Sequence, residues 1–219
     1  FYHTWNYVID LQDNIMSNPG IWTVHTPLHY IILSKLNLVF NNQELVRFLT
    51  FTSSLLVPYL FYLNLKIKFP ETQKKLLFIF SLSLFLYPSF RYSAIWANNH
   101  ITGLIFFLLS TYFYLKWKEI KPNSLNKYLI LCTFSLALAV YTRQYYALIF
   151  IYFLYIFFQK LSFFNFFKIS LIIFIFSLPG FWLISNFPSL LKTTYSSKFH
   201  NTVLINTSIL SFYFLPFFF

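Results

Sequence analysis

The chain has 219 residues, of which 58% are hydrophobic and only 10% charged. A water-soluble domain carries nearer a quarter of its residues as charges, so this composition excludes a soluble globule and leaves apolar surface to face lipid. The formal net charge of +11 is spread between hydrophobic runs, the ordinary signature of cytoplasmic loops, and nucleic acid is set aside as a partner. The aromatic fraction of 25%, with 32 Phe and 17 Tyr, accompanies a paucity of Gly, the pattern of AT-rich codons rather than of an aromatic ligand site.

Residues 1–44 read as an extracytoplasmic loop ending in an interfacial helix. The polar amino-terminal stretch holds His3, Asp10 and Asp13 along with Trp5 and Trp22. Asp10 and Asp13 stand three apart and share a face if helical. A carboxylate there is able to serve as general base toward a sugar hydroxyl, and the pair is able to hold a divalent cation; an acid-capped solvated face needs neither. His25-Thr-Pro-Leu-His29 sets two imidazoles at i, i+4, with Pro27 between them, no Glu after the first His and no third ligand in view. No metal ligand set is assigned. The stretch 27–40 is short for a crossing and is interrupted by Lys35 and Asn37; an amphipathic helix lying in the interface, with Pro27 in its first turn, satisfies both facts.

Residues 45–219 read as transmembrane spans, at roughly 45–65, 76–90, 99–117, 127–142, 144–159, 168–186 and 203–219, each near the ~20 apolar residues a crossing helix needs. The expected fold is all-α, a polytopic transmembrane helix bundle forming a single domain over 1–219. A start at Phe1 and a stop within the apolar run Phe217–Phe219 read as truncation at both ends. Pro58, Pro88 and Pro179 mark candidate helix breaks, and the lone Cys132 has no internal disulfide partner. Lysines collect at 66–75, 116–127 and 160–168; these loops alternate with the others and should be cytoplasmic.

All five histidines then fall on the opposite, extracytoplasmic face. Glu44 and Arg47 make an i, i+3 pair at a helix start. The polar break from Arg91 to His100 ends in Asn98-Asn99-His100, side chains suited to a sugar hydroxyl, or equally to capping a helix beside an aromatic belt. Arg143-Gln144 interrupts two apolar runs where the connection is only a few residues long. A guanidinium at that depth meets an anion or snorkels; its fork matches a phosphate, and anchoring to ordinary headgroups is the plain alternative. Lys192, Lys198 and His200 lie in the last outer loop, either closing over an anionic ligand or simply solvated.

The order of these pieces resembles the GT-C class of integral membrane glycosyltransferases. The resemblance runs from the segment ending His25-Thr-Pro-Leu-His29-Tyr30, through Glu44-Leu-Val-Arg47 and Tyr87-Pro88-Ser89-Phe90-Arg91, to Arg143-Gln144. The phrases Ile21-Trp22-Thr23-Val24-His25-Thr26-Pro27-Leu28 and Arg143-Gln144 look like those of the eukaryotic enzymes that add glucose to a dolichol-linked oligosaccharide. The resemblance implies inverting transfer of a sugar from a polyprenyl-phosphate donor to a glycan, lipid or protein acceptor, at the extracytoplasmic or lumenal face of a bacterial plasma membrane or of the endoplasmic reticulum. It implies Asp10 or Asp13 as the base, although the family's acidic pair follows a first span and would precede Phe1. It further implies that Arg143 contacts the leaving phosphate; Gln144, His3, His25, Asn99, His100 and Lys198, polar residues of the same outer face, are the other candidate substrate-binding residues. Some members use Mg or Mn; the second outer turn here carries Asn98, Asn99 and His100 where many members have an acid. The alternative class is a multi-pass transporter or lipid-glycan flippase, for which ionisable residues at mid-span are the expected sign.

Overall fold

A computed structural model describes Trp5, Val8, Ile9 and residues 26–120 and 124–186. Every element among these is helical and none is a strand. Helix α1 spans Leu28–Phe40; Pro27, with φ −83°, precedes it and accepts the first intrahelical bond, from Ile31 N at 3.0 Å. It ends at Asn41 in the left-handed conformation (φ 45°), which Asn tolerates better than most residues. Asn42 then caps α2, Gln43–Ser53, by accepting Leu45 N–H at 3.0 Å. The expected boundary at 44/45 thus falls inside the first turn of α2.

Helix α3, Leu56–Lys68, follows almost without interruption. Pro58 sits in its first turn, where its missing N–H costs least. Helix α4 is Lys74–Leu82 and runs into a 3-10 turn, Ser83–Leu86. The continuous span expected at 76–90 is not formed: Pro88 forces Tyr87 into extended backbone (ψ 116°), and α5, Pro88–Ile95, leaves at 70° to the preceding segment. Then come α6, Asn99–Ile120, α7, Lys127–Thr142, α8, Tyr146–Lys160, and α9, Phe163–Asn186.

Contacts fix how the later helices run. Asn64 donates to Leu108 O at 3.0 Å while Val57 shares a cluster with Ile101, so α3 and α6 are parallel. Ser110 meets Cys132 and Trp117 Nε1 donates to Ser124 O, so α7 returns antiparallel to α6. The seam is built of small residues, Gly103, Ser110, Ser135, Ala139 and Thr142, which let backbones approach; a Cβ on Gly103 would lie 2.9 Å from the Tyr146 ring. Tyr114 stacks edge-on against Phe153, and Trp117 against Phe157, which sets α8 parallel to α6. Phe134 meets Phe176, and the Tyr141 hydroxyl, a turn and more later, accepts from Gly180 N–H at 2.9 Å, which sets α9 parallel to α7. The apolar core is the cluster of Trp117, Leu129, Leu136, Phe153, Phe157 and Ile169.

Two consequences follow. The ends of α6 and α8 and the starts of α7 and α9 carry Lys118, Lys160, Lys127 and Lys168 at one end of the helices, while Asn99, Arg143 and Gln144 lie at the other. The apolar surface is turned outward: Leu148, Ile151 and Phe158 of α8 and Phe163, Phe167 and Leu171 of α9 are all exposed. Two helices among the described residues, Gln43–Lys68 and Phe163–Trp182, are long and apolar enough to cross a membrane, and the bent pair Lys74–Leu86 plus Pro88–Ile95 makes a third if it counts as one span. The expected spans at 127–142 and 144–159 form helices of 16 and 15 residues, about 24 and 22 Å long at 1.5 Å per residue.

Candidate functional site

Three connections converge at the end opposite the lysines: the entry to α1, the turn between α5 and α6, and the turn between α7 and α8. The α5–α6 turn closes when Asn98 N–H reaches back to Ser93 O at 2.9 Å, and this drives Ala97 to φ 48°. A left-handed alanine is strained, and here it has a use. Its carbonyl accepts a hydrogen bond from Nε2 of His29 at 2.9 Å.

His29 is 2% exposed. With Nε2 donating to Ala97, Nδ1 accepts from the Thr102 hydroxyl at 2.9 Å, which fixes the neutral tautomer. Burial pushes its pKa down to about 4; the bond to Ala97 opposes this and the Arg143 charge adds to it. Thr26 completes the junction by donating to Val140 O at 3.0 Å, tying the entry of α1 to the last turn of α7.

Arg143 caps α7 in extended backbone (φ −151°, ψ 120°), and α8 resumes at Tyr146. Its cation therefore sits at the negative end of the α7 dipole. Nε donates to Asn99 Oδ1 at 2.9 Å, and Nη2 donates to His100 Nε2. Because arginine has no acceptor, His100 presents an unprotonated nitrogen there. The guanidinium also lies 5.9 Å from the Tyr145 ring centre. Burial lowers its pKa, while Tyr145, Tyr30 and Tyr146 act in the opposite sense. The carboxylate ion pairs among the described residues are Glu44–Arg47 and Lys116–Glu119; Arg143 belongs to neither.

Asn99 is 2% exposed, and its amide nitrogen has no hydrogen-bond partner. It borders a cavity of about 110 Å³ shared with His29, Tyr30, Tyr92, Trp96 and Asn98. Arg47 braces the outer wall: it pairs with Glu44 at 3.5 Å, donates to Ile95 O at 3.1 Å and lies over Trp96, 5.2 Å from the ring centre.

The structure thus brings Asn99, His100 and Arg143 together, with Gln144 next in the same turn. His3, Asp10, Asp13, His25 and Lys198 lie outside the described residues. His29 and Thr102 join the site although neither is singled out as a ligand-binding residue by sequence; the i, i+4 spacing from His25 draws attention to His29 as a metal ligand, yet both its ring nitrogens are engaged. No group of three or more His, Cys, Asp or Glu among the described residues is arranged to hold a metal ion. Among the described residues the cluster offers no carboxylate to Mg or Mn, and its Asn99 oxygen and a His100 nitrogen face a guanidinium. Comparison with protein-family models, curated proteins and solved structures gives no match for this chain.

Proposed function

We propose that this chain is a polytopic membrane protein that transfers a sugar from a polyprenyl-phosphate donor at the extracytoplasmic end of its helices, in the manner of the GT-C glycosyltransferases it resembles. The observation carrying the proposal is Arg143: half-buried, with no carboxylate partner among the described residues, and held in plane by Asn99 and His100. A guanidinium has five N–H donors, and two are accounted for by these neighbours. The others are available to a tetrahedral oxyanion, and a fixed cation is worth most where a leaving phosphate gains charge. His29, kept neutral close by, adds no competing charge. The apolar outer surface of α8 and α9 supports a lipid surrounding, and a lipid-linked donor reaches this end of the molecule without leaving the bilayer.

The catalytic base on this reading is Asp10 or Asp13 of the acidic amino-terminal stretch; the described cluster offers no carboxylate. The second reading, a lipid-glycan flippase, is favoured by the 70° break at Pro88 and by Pro179 inside α9. The two part on chemistry. Membranes carrying the chain should release polyprenyl phosphate from a polyprenyl-phosphate hexose as the sugar is transferred, and Arg143→Ala should slow that release about a hundredfold, the scale of losing one transition-state donor, with membrane insertion intact. Unchanged turnover in Arg143→Ala removes the proposal; translocation of the labelled lipid without sugar release replaces it with the flippase.

A further inference from the structure

We infer that the cavity walled by Tyr30, Tyr92 and Trp96 is the subsite for the sugar ring of the donor, with the Asn99 amide as its hydrogen-bond donor; this rests on the reading of Arg143 as the phosphate contact. Asn99 divides its two ends between two tasks. Its oxygen holds Arg143 Nε at 2.9 Å, and its nitrogen, buried and without a partner, belongs to a side chain that lines the cavity. A buried amide donor left without an acceptor is destabilising, and buried polar groups in native proteins are nearly always satisfied. A ligand hydroxyl supplies the missing acceptor.

The lining suits a carbohydrate more than water alone. Three aromatic side chains line the cavity, while Asn98 and Asn99 supply the polar part, the mixture of apolar walls and a few placed polar groups that small-molecule sites use. At about 110 Å³ the space takes the edge of one monosaccharide ring and no longer glycan, being worth only three or four waters at ~30 Å³ each. Its position is also right. The single Asn99 amide bonds the guanidinium through its oxygen and belongs to a side chain lining the cavity, so the phosphate contact and the sugar subsite adjoin across one side chain.

The test measures affinities of the whole chain in lipid nanodiscs for two probes, a polyprenyl phosphate and the same lipid bearing a hexose. Wild type should hold the sugar-bearing lipid roughly tenfold tighter, the scale of one well-made hydrogen bond plus ring contact. In Asn99→Leu and in Trp96→Leu that ratio should fall to near one; taking the ratio cancels any effect of Asn99→Leu on Arg143. Arg143→Ala should weaken both lipids together. A wild type that does not distinguish the lipids, or a ratio unmoved in both variants, overturns the sugar subsite while leaving the phosphate contact standing. Both affinities unmoved by Arg143→Ala would instead remove the phosphate contact beneath it.

Discussion

His29 has no spare nitrogen. A second proton would have to sit on Nδ1, which now accepts from Thr102. With the folded pKa near 4 and the ordinary value at 6.5, the unfolded chain binds more protons at mildly acid pH. Stability is therefore complete above about pH 6.5, falls as pH drops toward 4 and levels off below, by about 3 kcal/mol in all. Thermal melts in detergent at pH 7.5 and pH 4.5 should show this loss, and His29→Phe should show far less of the pH-dependent difference. Equal slopes in the two proteins would mean that His29 is not the group responsible. Arg143, Asn99 and His100 were singled out by sequence because each lies in a short polar break between apolar runs. Their mutual contact was not, since it joins positions 44 and 43 apart through the antiparallel packing of α6 on α7. The role of His29 was hidden further, because it depends on a left-handed Ala97 that no residue preference announces.

Among the elements, α9 shows what proline does when a neighbour supplies the repair. Pro179 lies inside the helix, and one residue later the ladder is interrupted. Gly180 N–H donates to the Tyr141 hydroxyl at 2.9 Å, and that hydroxyl donates to Phe176 O at 2.6 Å. The phenol of α7 is thus inserted between the two groups that would otherwise bond directly. The approach is close, with a Cβ on Gly180 meeting the Tyr141 ring at 3.3 Å. Tyr141→Phe removes both bonds and should lower stability by about 1–2 kcal/mol, read as a lower melting temperature in detergent; an unchanged melting temperature would mean that α9 restores its own bond at no cost. Helix positions themselves were legible from apolar runs and lysine clusters, and the candidate breaks from proline. What proline did at each place was not: Pro58 fits a first turn, Pro88 turns the chain by 70°, and Pro179 is bridged by a side chain 38 positions earlier.

On the scale of the whole molecule, charge and polarity are sorted along the helix axes. Lys118, Lys127, Lys160 and Lys168 mark one end and the Asn99–His100–Arg143 cluster the other, with exposed Phe, Leu and Ile between. This sorting was legible in the alternation of lysine-rich segments; the helix directions, set by pairs such as Asn64–Leu108 and Tyr114–Phe153, needed the fold. The proposed chemistry requires that the cluster open to the extracytoplasmic side. In a Cys132→Ser background, single cysteines at Tyr92 and Tyr145, both exposed beside the cluster, and at Glu119 and Lys160, both exposed at the far end, can be labelled in sealed vesicles with a membrane-impermeant maleimide. Positions 92 and 145 should react from the extracytoplasmic side alone and 119 and 160 only once the vesicles are opened; reaction of 92 and 145 from opposite sides, or of 145 and 160 from the same side, would contradict a common outward-facing pocket.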